Sequence, residues 1–260
     1  MGLGYVIGCF LSIALWKLNR RKVFLNITKK LNNLIKNCIL CQIVYLLIIV
    51  LICFLINLIF KYYRNWTELY NLITVFLCVN ISSTEKENIE RHDKIYFYNS
   101  ISEISYSLVC SFISPFVYIF FFGNAFAVFA AFVFYSGSNK KFKIFNLMST
   151  LLSIIPSLFA EIYMYICCII KNNSLKVGFE GDYFKNLILN PLLNVDILAA
   201  YAESVKFYYY YRDKDTDYIK SYGEYKNKID TDCIRDYLGT SYIVCIITFS
   251  VFYIFINLKL

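Results

Sequence analysis

The sequence predicts an all-α, polytopic integral membrane protein, and three observations carry that reading. Cys38 to Phe60 runs without one charged side chain, and a helix needs roughly 20 apolar residues to cross a hydrocarbon core of about 30 Å. The chain as a whole is 59% hydrophobic and 19% aromatic, with a mean hydropathy of +0.55, above the roughly 45–50% apolar share of soluble domains. Further apolar stretches follow, and the prolines and a Gly-Asn pair interrupt them at places that a membrane interior tolerates only where protein re-satisfies the freed backbone groups. At 260 residues there is room for one integral domain, 1-260, of about five membrane segments, and none for a large soluble enzyme beside it.

Gly4 to Trp16 is a short apolar segment without a charged n-region or a small-residue cleavage site, so it reads as an uncleaved first span or a re-entrant piece. Cys38 to Phe60 is the strongest span. Leu69 to Ile81 is shorter and suits an interfacial or partly buried position, and the mixed-charge stretch Ser83 to Lys94 reads as a solvated loop. Leu108 to Tyr135 is too long for one untilted helix and carries Pro115 and Gly123-Asn124, which predicts two helical pieces with a break. Phe145 to Ile170 is the next span, with Pro156 and one acid, Glu161. Residues 171-241 turn polar and form the extramembrane or interfacial region, within which Ile197 to Tyr211 reads as a tyrosine-rich amphipathic helix suited to a headgroup interface. Tyr242 to Leu258 is the terminal span.

The net charge of +8 is concentrated between the first two apolar segments. Lys17, Arg20, Arg21, Lys22, Lys29, Lys30 and Lys36 stand there with no acid among them, which places loop 17-37 on the cytoplasmic side of a cell membrane. Such a basic loop is explained by anionic lipid, and no nucleic-acid partner is expected. The ten cysteines give one CxxC, Cys38 and Cys41, and no second pair; with His92 as the single histidine they read as small buried hydrophobes, not as a zinc site. There is no phosphate-binding loop, no dinucleotide fingerprint and no nucleophile elbow. An acid inside an apolar helix must face protein, water or a partner, which singles out Glu161.

The order of these segments resembles one membrane family, the adenosylcobinamide-phosphate synthases of cobalamin biosynthesis (CobD/CbiB). LGYVIGCFLSIALWKLNRRK is similar to the family's opening and retains Ile7, Gly8 and Asn19, without its His and Glu. ISYSLVCSFISPFVYIFFF keeps Ser105, Val109, Ser111, Ile113, Ser114, Pro115 and Tyr118, while Tyr106, Ser107 and Cys110 stand where the family has Glu, Asn and Asp. FNLMSTLLSIIPSLFA retains Ile155 and Pro156, with Leu147, Ser149 and Thr150 in place of an Arg and two acids. NPLLNVDILAAYAES keeps Pro191, Ala199 and Ala200, with Asn194 and Asp196 as the nearest polar substitutes. YGEYKNKID and DCIRDYL place Gly223, Lys228, Ile234 and Arg235 in register.

The resemblance implies ATP-dependent formation of an amide between adenosylcobyric acid and an aminopropanol or its phosphate, with ATP and Mg²⁺ as cofactors and other corrinoid-pathway membrane proteins as partners. On this reading the catalytic candidates are Glu161, Asp196 and Glu203, and the substrate-binding candidates are Asn194, Gly223, Lys228 and Arg235. Glu103, Asp182, Glu224 and Asp230 are the remaining acids from which a magnesium-phosphate site could be rebuilt. Most of the family's own acids are missing, so a second expectation stands beside the first: a catalytically inactive paralogue acting as a membrane scaffold or signalling modulator. Solute transport is less supported, because only one intramembrane acid is visible and broken helices do not repeat in the two halves.

Overall fold

In a computed structural model, the described residues are 2–15, 18, 20, 24, 26–27, 39–80, 94–137, 142–213 and 216–258. They form helices α1 (Leu3–Ala14), α2 (Ile39–Tyr62), α3 (Thr67–Cys78), α4 (Lys94–Leu108), α5 (Ser114–Phe122), α6 (Asn124–Gly137), α7 (Lys143–Asn172), α8 (Tyr183–Leu189), α9 (Pro191–Ala202) and α10 (Thr231–Leu258), with a two-stranded hairpin, β1 (Phe207–Asp213) and β2 (Thr216–Tyr222), before the last helix. A π-helical turn, Val109–Ile113, joins α4 to α5. The basic residues of loop 17-37 other than Arg20, the solvated loop 83–93 with His92, Cys38, and the side chain of Cys41 lie outside the description.

Four helical stretches are long and apolar enough to cross a membrane: Gln42–Phe60, Asn99–Phe122, Lys143–Asn172 and Thr231–Leu258. They differ in how they are used. Only 11% of the most apolar stretch of α2 is buried inside the chain, against 83% for Asn99–Phe122. Leu40, Leu47, Leu51, Phe54 and Ile59 of α2 are exposed, so the chain itself leaves most of that helix's apolar surface uncovered, whereas Asn99–Phe122 is wrapped by protein. At 12 residues, α1 reaches about 18 Å and does not span alone.

Two compact units divide the chain. Unit 1 holds Met1–Ser83, Cys110–Ser153 and Ile247–Leu260; unit 2 holds Thr84–Val109 and Ile154–Ile246, so α7 and α10 supply residues to both.

In unit 1, α1 packs on α3 through a stripe of small residues, Gly4, Gly8 and Ser12, spaced four apart as in membrane helix pairs. A Cβ on Gly4 would stand 2.1 Å from the Glu68 carbonyl oxygen, and one on Gly8 would stand 2.7 Å from that of Leu72. The Ser12 hydroxyl donates to the Val79 carbonyl at 2.6 Å. The first N–H groups of α1, which lack helical partners, donate to a distant carboxylate: Gly2 N and Gly4 N reach Glu68 at 3.0 and 2.7 Å. Farther along, Tyr5 donates to Asn124 Oδ1 at 3.1 Å, and Asn124 Nδ2 to Asn71 Oδ1 at 2.6 Å. These tie α1, α6 and α3 by buried polar contacts, the interhelical glue of apolar surroundings. Gly4→Ala must push backbone apart, so it is expected to cost about 1–3 kcal/mol by overpacking. Gly239→Ala on α10, where nothing lies within 4 Å, should be neutral or stabilise by about 0.5–1 kcal/mol. Thermal unfolding in detergent separates the two.

The three prolines are each absorbed differently. Pro115 has no N–H to offer the carbonyl four residues back, and that oxygen, on Ser111, accepts from Asn80 N at 3.0 Å. Helix therefore continues through Pro115, aided by the preceding π turn, and stops at Gly123, whose φ of 87° ends α5. Pro156 sits inside α7, and the carbonyl it frees, on Leu152, accepts the Tyr118 hydroxyl. Pro191 opens α9 at its first turn, where no donor is needed.

Unit 2 departs from one expectation. The segment Ile197 to Tyr211 is not one helix: α9 ends at Ala202, Ser204 takes a positive φ of 53°, and Phe207–Asp213 is a strand paired antiparallel with Thr216–Tyr222. The tyrosine run alternates instead of rotating, with Phe207 and Tyr211 buried and Tyr208 and Tyr210 exposed. Aromatic residues favour this pleated, half-buried setting. Gly223 follows with φ 91°, and a Cβ there would stand 2.1 Å from the Val205 carbonyl oxygen, so its glycine is required by the chain reversal beneath the hairpin.

Candidate functional site

The three acids named as catalytic candidates, Glu161, Asp196 and Glu203, are 5%, 6% and 7% exposed, and a buried carboxylate must find hydrogen bonds or shed its charge. Each lies in unit 2 and has a different answer to that demand.

Asp196 projects from α9, which packs against α4. Ser102 Oγ donates to its Oδ2 at 2.9 Å. Ser105, one helical turn on, bonds to the Tyr237 hydroxyl of α10 at 2.7 Å and also stands beside the carboxylate. Oδ1 has no partner among the described residues. Burial pushes the Asp196 carboxyl up to about 7, against the opposing pull of the Ser105 and Ser102 hydroxyls. A carboxyl poised there, with one oxygen free, can exchange a proton at neutral pH.

Glu203, at the C-terminal end of α9, is answered by charge. Lys171 Nζ of α7 meets its Oε1 at 2.6 Å, with Thr240 Oγ1 of α10 at 3.4 Å. Burial still raises its carboxyl above the ordinary range, with Lys171 pulling the other way. Its backbone carbonyl accepts from Asn227 Nδ2 at 3.1 Å, which draws the loop after the hairpin towards the end of α9.

Glu161, on α7, accepts from the Tyr183 hydroxyl at 2.8 Å through Oε2. Asn194 of α9 is wholly buried, donates Nδ2 to the Tyr183 carbonyl at 3.2 Å and is a polar neighbour of the same carboxylate. No described cation pairs with Glu161 or Asp196.

The substrate-binding candidates separate. Asn194 lies inside with the acids, and Gly223 shapes the backbone under the hairpin. Lys228 is exposed, and Arg235 is an exposed side chain 3.6 Å from Asp232; nothing among the described contacts joins either of them to a buried carboxylate. Of the other acids, Asp182 accepts from Lys220 and from the Tyr222 hydroxyl, the latter at 2.8 Å. Burial opposes its charge, yet these bonds and the Lys220 charge hold it below the usual carboxylate range. Tyr222 continues to Tyr211 at 2.9 Å and Tyr211 to Asn186 at 3.3 Å. That chain clamps the hairpin onto α8 and is a structural network. Ser105 is among the residues that carry the resemblance, but nothing in the sequence pairs it with an acid; Ser102, Tyr183 and Tyr237 carry no such signal and become visible only when distant segments meet.

A magnesium-phosphate centre requires hard oxygen ligands gathered around one point. Among the described residues no three Asp, Glu, His or Cys side chains come together, so the described side chains do not fit such a centre. The described cysteines form no disulfide, and all but Cys167 are buried.

Comparison of the chain with protein-family models, with curated proteins and with solved structures found no match.

Proposed function

We propose that the chain is a multi-pass protein of the cell membrane, with the basic loop 17-37 cytoplasmic, and that it works in the corrinoid pathway as a relative of the adenosylcobinamide-phosphate synthases, joining an aminopropanol or its phosphate to adenosylcobyric acid. The observation that supports this reading most is a convergence. Three of the segments that carry the resemblance, around Ser105, around Asn194 and Asp196, and around Arg235, meet at the Ser105–Asp196–Tyr237 cluster of unit 2. Amide formation needs a proton taken from the attacking ammonium, and Asp196 has the free oxygen and the carboxyl poise for that task. Ser102 and Ser105 hold the carboxylate in place.

A second reading, a catalytically silent relative serving as a membrane scaffold or signalling modulator, is favoured by the failure of the acids to gather around one point. Purified protein in detergent, given ATP, Mg²⁺, the corrinoid acid and aminopropanol phosphate, decides between them. Amide product that falls at least tenfold in Asp196→Asn supports the synthase; corrinoid binding without product supports the silent relative; neither binding nor product removes the synthase. Reporter fusions after Lys30, Lys94, Lys141 and Asp217 fix the orientation independently.

A further inference from the structure

Of the unpaired buried side-chain atoms described in unit 2, three belong to residues tied to one place, while Asn186 Nδ2 and Asp196 Oδ1 stand apart from them. Ser157 and Glu161 are one helical turn apart on α7, hence on one face, and both are buried, at 0% and 5% exposure. Ser157 Oγ and Glu161 Oε1 have no hydrogen-bond partner among the described residues, and neither has Asn194 Oδ1. Asn194 is tied to this place twice, by its bond to the backbone of Tyr183 and by its proximity to the Glu161 carboxylate. The Tyr183 carbonyl fixes which way the amide faces, because only Nδ2 can donate to it; Oδ1 is therefore the atom left over. Three oxygens, one each from a carboxylate, an amide and a hydroxyl, thus stand unanswered by protein groups in a buried interior, where such atoms demand a partner. Two of them can only accept, and no described lysine or arginine bonds to them.

What satisfies such a set is a ligand that brings positive charge and asks for hard oxygen. One formal negative charge, with neutral oxygens completing the shell, matches a monovalent ion; divalent ions draw on more carboxylates, and soft metals would ask for sulfur or imidazole. We propose that Glu161, Asn194 and Ser157 form a binding site for a sodium-sized monovalent cation, with Tyr183, the half-buried member whose hydroxyl holds the other Glu161 oxygen, at its outer side. Glu161 and Asn194 are also candidates of the corrinoid reading, but the inference uses none of the Asp196 cluster and its test reads ion binding, not amide formation, so the two can fail separately.

The site has a thermodynamic signature, because an ion that binds only the folded state stabilises it by mass action. Thermal unfolding of the full chain in a neutral detergent is measured at constant ionic strength while sodium chloride replaces choline chloride, and again with potassium chloride. The midpoint should climb with sodium by about 3–5 °C per tenfold rise once the site begins to fill, and less with potassium. Glu161→Gln should abolish the climb, and Ser157→Ala, which leaves the helix intact, should shift it at least tenfold to higher sodium. Equal midpoints in all three salts would overturn the proposal. So would a sodium response undiminished in Glu161→Gln and Ser157→Ala together, or a stability that follows pH alone and disappears with Glu161, which would mean that a proton, not a metal ion, answers the carboxylate.

Discussion

Arg20→Ala should be the most destabilising single substitution in unit 1, by about 3–5 kcal/mol. Arg20 is 3% exposed. Its guanidinium donates to the Phe76 carbonyl at 2.7 Å, to the Ser12 carbonyl at 3.0 Å and to Asn80 Oδ1 at 3.2 Å, and its carbon lies 4.9 Å from the Phe76 ring centre. Phe76 is in the last turn of α3 and Ser12 in the last turn of α1, where carbonyls have no helical donor and the helix dipole is negative. One cation therefore caps two helices whose backbones are already in contact. Truncation takes a charged donor from three acceptors, the buried Ser12 carbonyl, the part-buried Phe76 carbonyl and Asn80 Oδ1, each loss worth about 1–3 kcal/mol. Arg20→Lys keeps the charge but loses the planar fork, and should recover less than half of the loss. The check is the unfolding midpoint of both variants in detergent, with Gly239→Ala as a reference that disturbs neither cap. A change below about 1 kcal/mol in Arg20→Ala would mean that the two helix ends find water or other donors.

Arg20 also shows where reading the chain as a string falls short. Counted with its neighbours it is one more positive charge in a basic loop, and loop charge speaks to orientation, not to packing. Nothing local distinguishes it from Arg21; the distinction comes from carbonyls 8 and 56 residues away. The apolar run that becomes α2 was plain because a helix apolar enough to span a membrane announces itself by what it lacks. The ends of α7 and α10 were read too short, since the polar residues there end a hydropathy window without ending the helix: α10 begins at Thr231, eleven residues ahead of the apolar stretch from Tyr242. Gly4, Gly8 and Ser12 did carry a readable signal, small residues at intervals of four, which a scan for charge and apolarity passes over. The tyrosine run was misread because aromatic residues suit both an interfacial helix and a strand. The alternation of Tyr208 and Tyr210 with Tyr209 and Tyr211 decides it only when the partner strand is known.

For the site, the asymmetry runs the other way. An acid inside an apolar helix is rare and costly, which makes Glu161 legible, whereas Asp196 and Glu203 enter only through the family resemblance; all three are buried. What answers each acid was not. Lys171 had been counted as the end of a span, Ser102 and Tyr237 look like any hydroxyl, and Tyr183 lies in a segment with no motif. A hydrogen bond across 94 residues, as between Ser102 and Asp196, leaves no trace in spacing. The close pairing of Lys171 with Glu203 separates that acid from the other two: one buried carboxylate has its charge matched, while Glu161 and Asp196 keep a free oxygen each.

The stability of the folded chain should fall as pH rises from about 4 to 7, and Asp196→Asn should remove a large part of that fall. In the folded state burial lifts the Asp196 carboxyl from 3.8 to about 7, with the hydroxyls of Ser105 and Ser102 opposing, so below pH 4 folded and unfolded forms both carry the proton and the group contributes nothing. Between these values the unfolded chain has released the proton and the folded chain still holds it. Raising pH then favours unfolding, because stability drops wherever the folded state binds more protons. A displacement of about three units corresponds to roughly 4 kcal/mol at its full extent, reached above pH 7 and present at pH 8. Tyr209, the ionisable neighbour on β1, is raised by burial and stays neutral throughout the window. Glu203 is raised too and adds a fall of the same sign, so the informative quantity is the difference between parent and Asp196→Asn at each pH, in which shared groups cancel. That difference should be near zero or slightly unfavourable to the variant at pH 4, where the amide leaves a buried donor to place, and should favour the variant by a few kcal/mol at pH 8. Unfolding followed in detergent at half-unit steps of pH gives the curve directly. Parallel curves for parent and variant would show that Asp196 keeps its charge when folded, held by a cation or by water, and would take away the carboxyl poise on which its role as a proton acceptor rests.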